Sequence, residues 1–179
     1  MYHILPNTPF FAVAAPGVAP YTALELQRLG LLPAARVQAQ TEAGGVAFAG
    51  DLRALYRANL HLRTANRVLV RLGEFRAVGF SELRKLAARL PWEHYLLPGQ
   101  PLALRVTCHK SRLYHSDAVA ERVAAAVGDR LGQPPLLQKF DEETDEAPAA
   151  GDPLPPGDPP QLVIVRLLLA TFFVDGKGR

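Results

Sequence analysis

Apolar positions along the first 75 residues change period several times, and each change marks a new element. Phe10 to Ala15 is an unbroken apolar run stopped by Pro16-Gly17, which predicts a short buried strand. A helical segment carrying Leu24, Leu26 and Leu29 follows and ends near Gly30. Arg36 to Gln40 and Val46 to Ala49 flank Gly44-Gly45, a pair suited to the positive φ angles of a tight hairpin. Asp51 is placed to cap a second helix that ends near Ala65, with Leu52, Leu55, Tyr56 and Asn59 expected on its buried face. Asn59 is expected to bond within the core. Val68, Val70 and Leu72 then alternate with Leu69 and Arg71, the period of a half-buried strand. The order β-α-β-β-α-β is that of an α+β, ferredoxin-like domain, with two helices on one face of an antiparallel sheet.

From Phe80 the pattern restarts. Phe80, Leu83, Leu86, Ala87 and Leu90 form a helical stripe opposite Arg84, Lys85 and Arg89, and Pro91 ends it. Trp92 reads as a packing residue between two domains, with Glu93 and His94 exposed beside it. Leu102, Leu104, Val106 and Cys108 alternate with Ala103, Arg105, Thr107 and His109, which predicts a strand with the Cys108 thiol facing the core. Ser116 can cap the next helix, Asp117 suits its positive end, and Val119, Val123, Ala126 and Val127 supply its buried face up to Gly132. Residues 133 to 160 hold eight of the sixteen prolines and most of an acidic cluster, and read as a loop or linker. Leu162 to Val174 reads as a strand or hairpin completing a second sheet.

Charge changes this picture more than bulk composition does. The net charge of +3 conceals sixteen Lys/Arg against nine Asp/Glu in residues 1 to 135, and four against eight in residues 136 to 179. The part expected to fold is therefore basic, a property that suits phosphate backbones without proving contact with them. A single cysteine gives no intramolecular disulfide, and five histidines with one cysteine lack the close pairs of a zinc site, so no metal is expected. The apolar run at Phe10 has no basic residue before it, and Leu162 to Val174 is shorter than the roughly 20 residues that span a bilayer, so no membrane partner and a cytoplasmic location are expected. Catalytic residues are not found. Cys108 and His109 are adjacent on a strand, point to opposite faces and cannot share a proton.

Two segments carry candidate binding chemistry. His109-Lys110-Ser111-Arg112-Leu113-Tyr114-His115 places two cations, a hydroxyl and an aromatic ring just before a helix N-terminus. Lys110 and Arg112 can neutralise phosphates, Tyr114 can stack on an unpaired base, and helix amides near Ser116 can receive a phosphate. Ala58 to Arg67 gathers donors at a helix C-terminus, where Arg63 and Arg67 either meet RNA or complement the helix dipole in water. Arg105, on the polar side of its strand, joins the candidates.

These segments resemble the THUMP-containing RNA methyltransferases, especially the bacterial 23S rRNA guanine-N2 methyltransferase group. The resemblance covers about residues 10 to 132. It rests on Ala15-Pro16-Gly17, Gly44-Gly45-Val46 with Phe48, Tyr56-Arg57-Ala58-Asn59-Leu60 with Leu62-Arg63-Thr64-Ala65, Leu90-Pro91-Trp92-Glu93, and Lys110-Ser111-Arg112-Leu113-Tyr114-His115. It implies a ferredoxin-like domain over residues 1–76 and a THUMP domain over residues 77–179, the latter with a Pro-rich acidic loop at about 133–160. It also implies that Lys110, Ser111, Arg112, Tyr114 and His115 lie in the RNA-contacting region.

In that family a methyltransferase domain using S-adenosylmethionine follows. This sequence holds neither a Gly-rich strand-to-helix turn for that cofactor nor an Asn-Pro-Pro-Phe/Tyr motif. The expectation is an RNA-binding module, for structured ribosomal RNA, with no cofactor of its own. It would be a truncated chain, a gene fragment or a subunit acting in trans with a methyltransferase domain or subunit. Alternatives are a protein-interaction subunit, a tRNA-directed THUMP protein, and an acyl-phosphate hydrolase of similar topology. The last needs an arginine in the first strand-to-helix loop, where Ala15-Pro16-Gly17-Val18 has none.

Overall fold

The computed structural model describes residues 4–36, 41–42, 44–108, 115–138, 161–167 and 170–175. The chain divides into two compact units, Met1–Leu72 with Phe173–Arg179, and Gly73–Phe172.

The first unit contains β1 (Thr8–Ala14), α1 (Ala19–Arg28), β2 (Thr41–Glu42), β3 (Gly45–Gly50), α2 (Leu52–His61) and β4 (Ala65–Phe75), whose last residues enter the second unit. The strand order is β2-β3-β1-β4 with antiparallel pairing, the expected ferredoxin-like arrangement. Register sets the core: Phe10 lies opposite both Phe48 and Val70, and Ala12 opposite both Val46 and Val68, so these side chains share one face of the sheet. All are buried, with the Phe10 and Phe48 rings 5.3 Å apart. Each such large apolar side chain contributes about 1.5–3 kcal/mol by leaving water.

The structure corrects three local expectations here. Leu69, expected on the polar side of β4, is fully buried because the other sheet face is covered too. There Phe11 lies opposite Leu69, and the Arg71 guanidinium sits 5.3 Å over the Phe11 ring while bonding both carboxylate oxygens of Glu42. The hairpin strand is Thr41–Glu42, whereas Arg36 belongs to a 3-10 turn and residues 37–40 lie outside the described set. Of the glycine pair only Gly44 takes the expected positive φ, at +84°, while Gly45 opens β3, where a side chain would come within 2.2 Å of the Ala12 carbonyl oxygen. The third correction concerns α2. Its buried residues are Ala54, Leu55 and Ala58, so Tyr56 and Asn59 face outward, and Asn59 bonds back to the Leu55 carbonyl within its own helix.

The second unit contains α3 (Phe80–Ala87), a 3-10 turn (Trp92–His94), β5 (Pro101–Cys108), α4 (Ser116–Leu131), β6 (Leu136–Gln138), β7 (Gln161–Leu167) and the start of β8 (Ala170–Asp175). β5 pairs in parallel with β6 on one side and β7 on the other, and β8 neighbours β7. Leu162 to Val174 therefore forms two strands, as expected. β6 corrects the reading of 133–160 as loop alone. Leu136 and Leu137 are exposed, so burial leaves no periodic signal, and Pro134-Pro135 bias the chain before the strand towards extended backbone. Residues 139–160 lie outside the described set.

Strand alternation also fails at the start of β5. Leu102, Ala103 and Leu104 are all buried, as a strand flanked by parallel neighbours requires when both sheet faces are covered. The orientation expected for the Cys108 thiol lies outside the described side chains. α3 and the 3-10 turn both pack on α4. Trp92 is fully buried and its indole N–H donates to the Ala87 carbonyl at 2.8 Å. Glu93 is exposed as expected and also forms a double hydrogen bond with Arg130, at 3.0 and 2.5 Å, whereas His94, expected to be exposed beside it, is half-buried. Arg84 makes a similar pair with Asp129, at 2.7 and 2.8 Å.

Candidate nucleic-acid interface

The corner between α2 and β4 is built by a carboxylate that lies far away in sequence. Asp51 starts α2 by accepting from the Ala54 N–H at 2.8 Å, which satisfies one of the unpaired first-turn donors. The helix closes where the Leu62 N–H reaches the Ala58 carbonyl. Glu25 of α1 then takes over: its Oε2 accepts from the Arg63 amide at 3.1 Å, the Thr64 amide at 3.2 Å and the Thr64 hydroxyl at 2.8 Å. Thr22 Oγ1 lies 2.9 Å from Thr64 Oγ1 and ties α1 to the same corner.

Burial by itself would raise the Glu25 pKa. The Thr64 hydroxyl, the two amides and the Arg63 charge outweigh burial and hold the carboxyl below its ordinary value. The corner therefore stays ordered with Glu25 ionised at neutral pH. Arg63 is exposed at this corner, and Arg67 follows on β4, half-buried and opposite Val13.

The other candidates belong to the second unit. Arg105 is half-buried on β5, in parallel register with Ile164. His115 is the exposed N-cap of α4, and α4 begins at Ser116, which corrects the expectation that Ser116 is the cap. The His115 side chain makes no capping bond to the helix, Val119 N–H reaches the His115 carbonyl, and Asp117 sits in the first turn. Lys110, Ser111, Arg112 and Tyr114, with His109, lie outside the described residues. The structure thus places Arg63 and Arg67 in one unit and Arg105 and His115 in the other.

Sequence reasoning missed the Glu25 clamp and the outward face of α2. No local pattern signals a bond spanning 38 or 39 residues. The second omission was legible: Ala54, Leu55 and Ala58 form a small-residue stripe that competes with the larger Leu52, Leu55 and Tyr56 set. Among the described residues, no group of His, Cys, Asp and Glu is arranged to hold a metal. No described helix is long and apolar enough to cross a membrane.

Comparison with known proteins gives a consistent result. Residues 9–69 match the RlmL ferredoxin-like domain model, and residues 78–146 match the THUMP domain model. The ribosomal RNA large subunit methyltransferase K/L of Syntrophotalea carbinolica is 35% identical over 133 residues, which is 74% of this chain and 17% of that protein. The protein of the same name from Methylococcus capsulatus is 35% identical over 122 residues, 68% of this chain and 16% of its own length. The chain therefore spans less than a fifth of these relatives. Among solved structures, a predicted N6-adenine-specific DNA methylase from Listeria monocytogenes aligns with TM-score 0.73 and 30% identity, covering 94% of this chain and 40% of that one.

Proposed function

We propose that this chain, an RlmL-type ferredoxin-like domain followed by a THUMP domain, is the RNA-holding part of a cytoplasmic 23S rRNA guanine-N2 methyltransferase. The observation that carries the reading is that both domain models match in this order, alongside relatives named as ribosomal RNA methyltransferases. The domains meet near residue 76. The ligand is structured ribosomal RNA. Lys110, Arg112 and Tyr114 make the main contacts, with Ser111 and His115 beside them at the start of α4 and Arg105, Arg63 and Arg67 as further cations. Phosphates are neutralised by the cations and by the amides of the α4 first turn, and Tyr114 stacks on an unpaired base.

Methyl transfer is assigned to no residue of this sequence. The described strand-to-helix turns, Ala15–Val18 before α1, Asp51 before α2 and Arg76–Gly79 before α3, contain no more than one glycine each, and α1 has Pro20 in its first turn. None of these forms the glycine-rich cradle that S-adenosylmethionine requires. The chemistry belongs to a methyltransferase domain or subunit that works with this module.

The test is salt-dependent binding of a labelled ribosomal RNA hairpin. Replacing Lys110 or Arg112 by Gln lowers the magnitude of the slope of log K against log salt by about 0.7–0.9 for each lost phosphate contact. Slopes identical to that of the unaltered chain would remove these residues from the interface, and absence of RNA binding at low salt would overturn the proposal.

A further inference from the structure

The outer surface of the first unit has a composition that packing does not explain. On α2, Arg53, Tyr56, Arg57 and Leu60 stand three and four residues apart and share one solvent-facing stripe. Tyr56 is 49% and Leu60 78% exposed. α1 repeats the pattern with Tyr21, Leu24 and Arg28, where Tyr21 is 63% and Leu24 46% exposed. A solvated helix face ordinarily mixes acids with bases, and these two faces carry no free acid.

The reason lies in the fold. Residues 15 to 64 contain three acids, and each is occupied: Glu25 by the Arg63 and Thr64 amides and the Thr64 hydroxyl, Glu42 by Arg71, and Asp51 by the Ala54 amide. Arg28, Arg53 and Arg57 form no ion pair among the described residues. Arg53 and Arg57 are separated by about 6 Å along the helix axis, with the Tyr56 ring beside them.

Resting on the proposed RNA-holding role, we infer that the outer face of α2 is a second RNA contact, distinct from the segment before α4. Arg53 and Arg57 neutralise successive phosphates of a strand whose unpaired base stacks on Tyr56. Charge complementarity selects a polyanion, and an exposed aromatic ring on the same helix face as two arginines suits a strand with bases turned outward. The exposed Leu60 is the feature that a protein partner would use instead.

The experiment measures affinity of the full chain for a labelled RNA hairpin with a single-stranded 3′ tail across a potassium chloride series. Arg53, Tyr56 and Arg57 are exposed, so folding is retained, and thermal melting verifies this for each variant. Arg53→Gln with Arg57→Gln reduces the slope magnitude by about 1.4–1.8, while Tyr56→Ala weakens binding roughly 5- to 100-fold with the slope unchanged. If these variants bind as the unaltered chain does while Lys110→Gln still loses slope, the second contact is wrong and the RNA-holding role stands. The face then fits a protein partner. If the unaltered chain binds no RNA, both fail together.

Discussion

The two units differ in how they pair the arginines of their helices. In the second, Arg84 and Arg130 on helices α3 and α4 are each paired through two hydrogen bonds with a carboxylate, Asp129 and Glu93. In the first, two of the three carboxylates in residues 15 to 64 serve backbone amides, which leaves Arg28, Arg53 and Arg57 open to solvent. Net charge by segment therefore misleads about what a ligand can meet. The basic surface available for RNA depends on where the acids are engaged, and that is a property of the fold.

The contrast extends to how each unit is held together, and it can be broken at three points. The largest effect is expected from Trp92→Ala. It empties a fully buried indole site and leaves the Ala87 carbonyl without its 2.8 Å partner, so urea unfolding should show a loss of about 3–5 kcal/mol. Hydrogen exchange should place that loss in α3, α4 and β5. Equal loss of protection in α1 and α2 would show that the two units do not open separately.

Glu25→Gln comes next. It removes the charge that holds the α2–β4 corner, and a cost of about 1–2 kcal/mol is expected, comparable to loss of a helix cap with partly exposed partners. Faster exchange of the Arg63 and Thr64 amides should accompany it. Unchanged exchange there would mean that the corner is ordered by its backbone alone.

The smallest effect is expected at Glu93. The double hydrogen bond from Arg130, which outweighs burial, holds its carboxyl down at about 2. A carboxyl depressed in the folded state stabilises the protein above its ordinary value near 4.5, and that contribution is lost as pH falls from there through about 2. Both partners are well exposed, so at neutral pH Glu93→Gln should cost less than about 1 kcal/mol. Its signature is a flatter dependence of melting temperature on pH between 5 and 2. An unaltered pH profile would show that the pair is screened out.

Much of the fold was legible in sequence because the relevant signals were local. The apolar run at Phe10, the Gly44-Gly45 turn and the restart at Phe80 locate β1, β3 and α3. The failures share one cause, which is burial decided by distant neighbours. Leu69 and Ala103 break strand alternation because both sheet faces are covered, and β6 pairs through its backbone while its leucines remain exposed. Helical spacing puts Tyr56 on the inward face with Leu52 and Leu55, whereas the buried residues are Ala54, Leu55 and Ala58, and Ala54 Cβ lies only 2.4 Å from where a Gly50 side chain would begin. Of the candidate binding residues, Arg63, Arg67, Arg105 and His115 have described positions, and the motif from Lys110 to Tyr114 rests on residue chemistry and on the family resemblance.

The most direct test of the central claim is the affinity of the unaltered chain for a labelled ribosomal RNA hairpin over a salt series. Phosphate contacts from Lys110, Arg112, Arg53 and Arg57 alone predict a log-log slope of about −3, and the further cations Arg105, Arg63 and Arg67 make it steeper. A slope near zero, or no binding at about 50 mM salt, where phosphate contacts are strong, would contradict it.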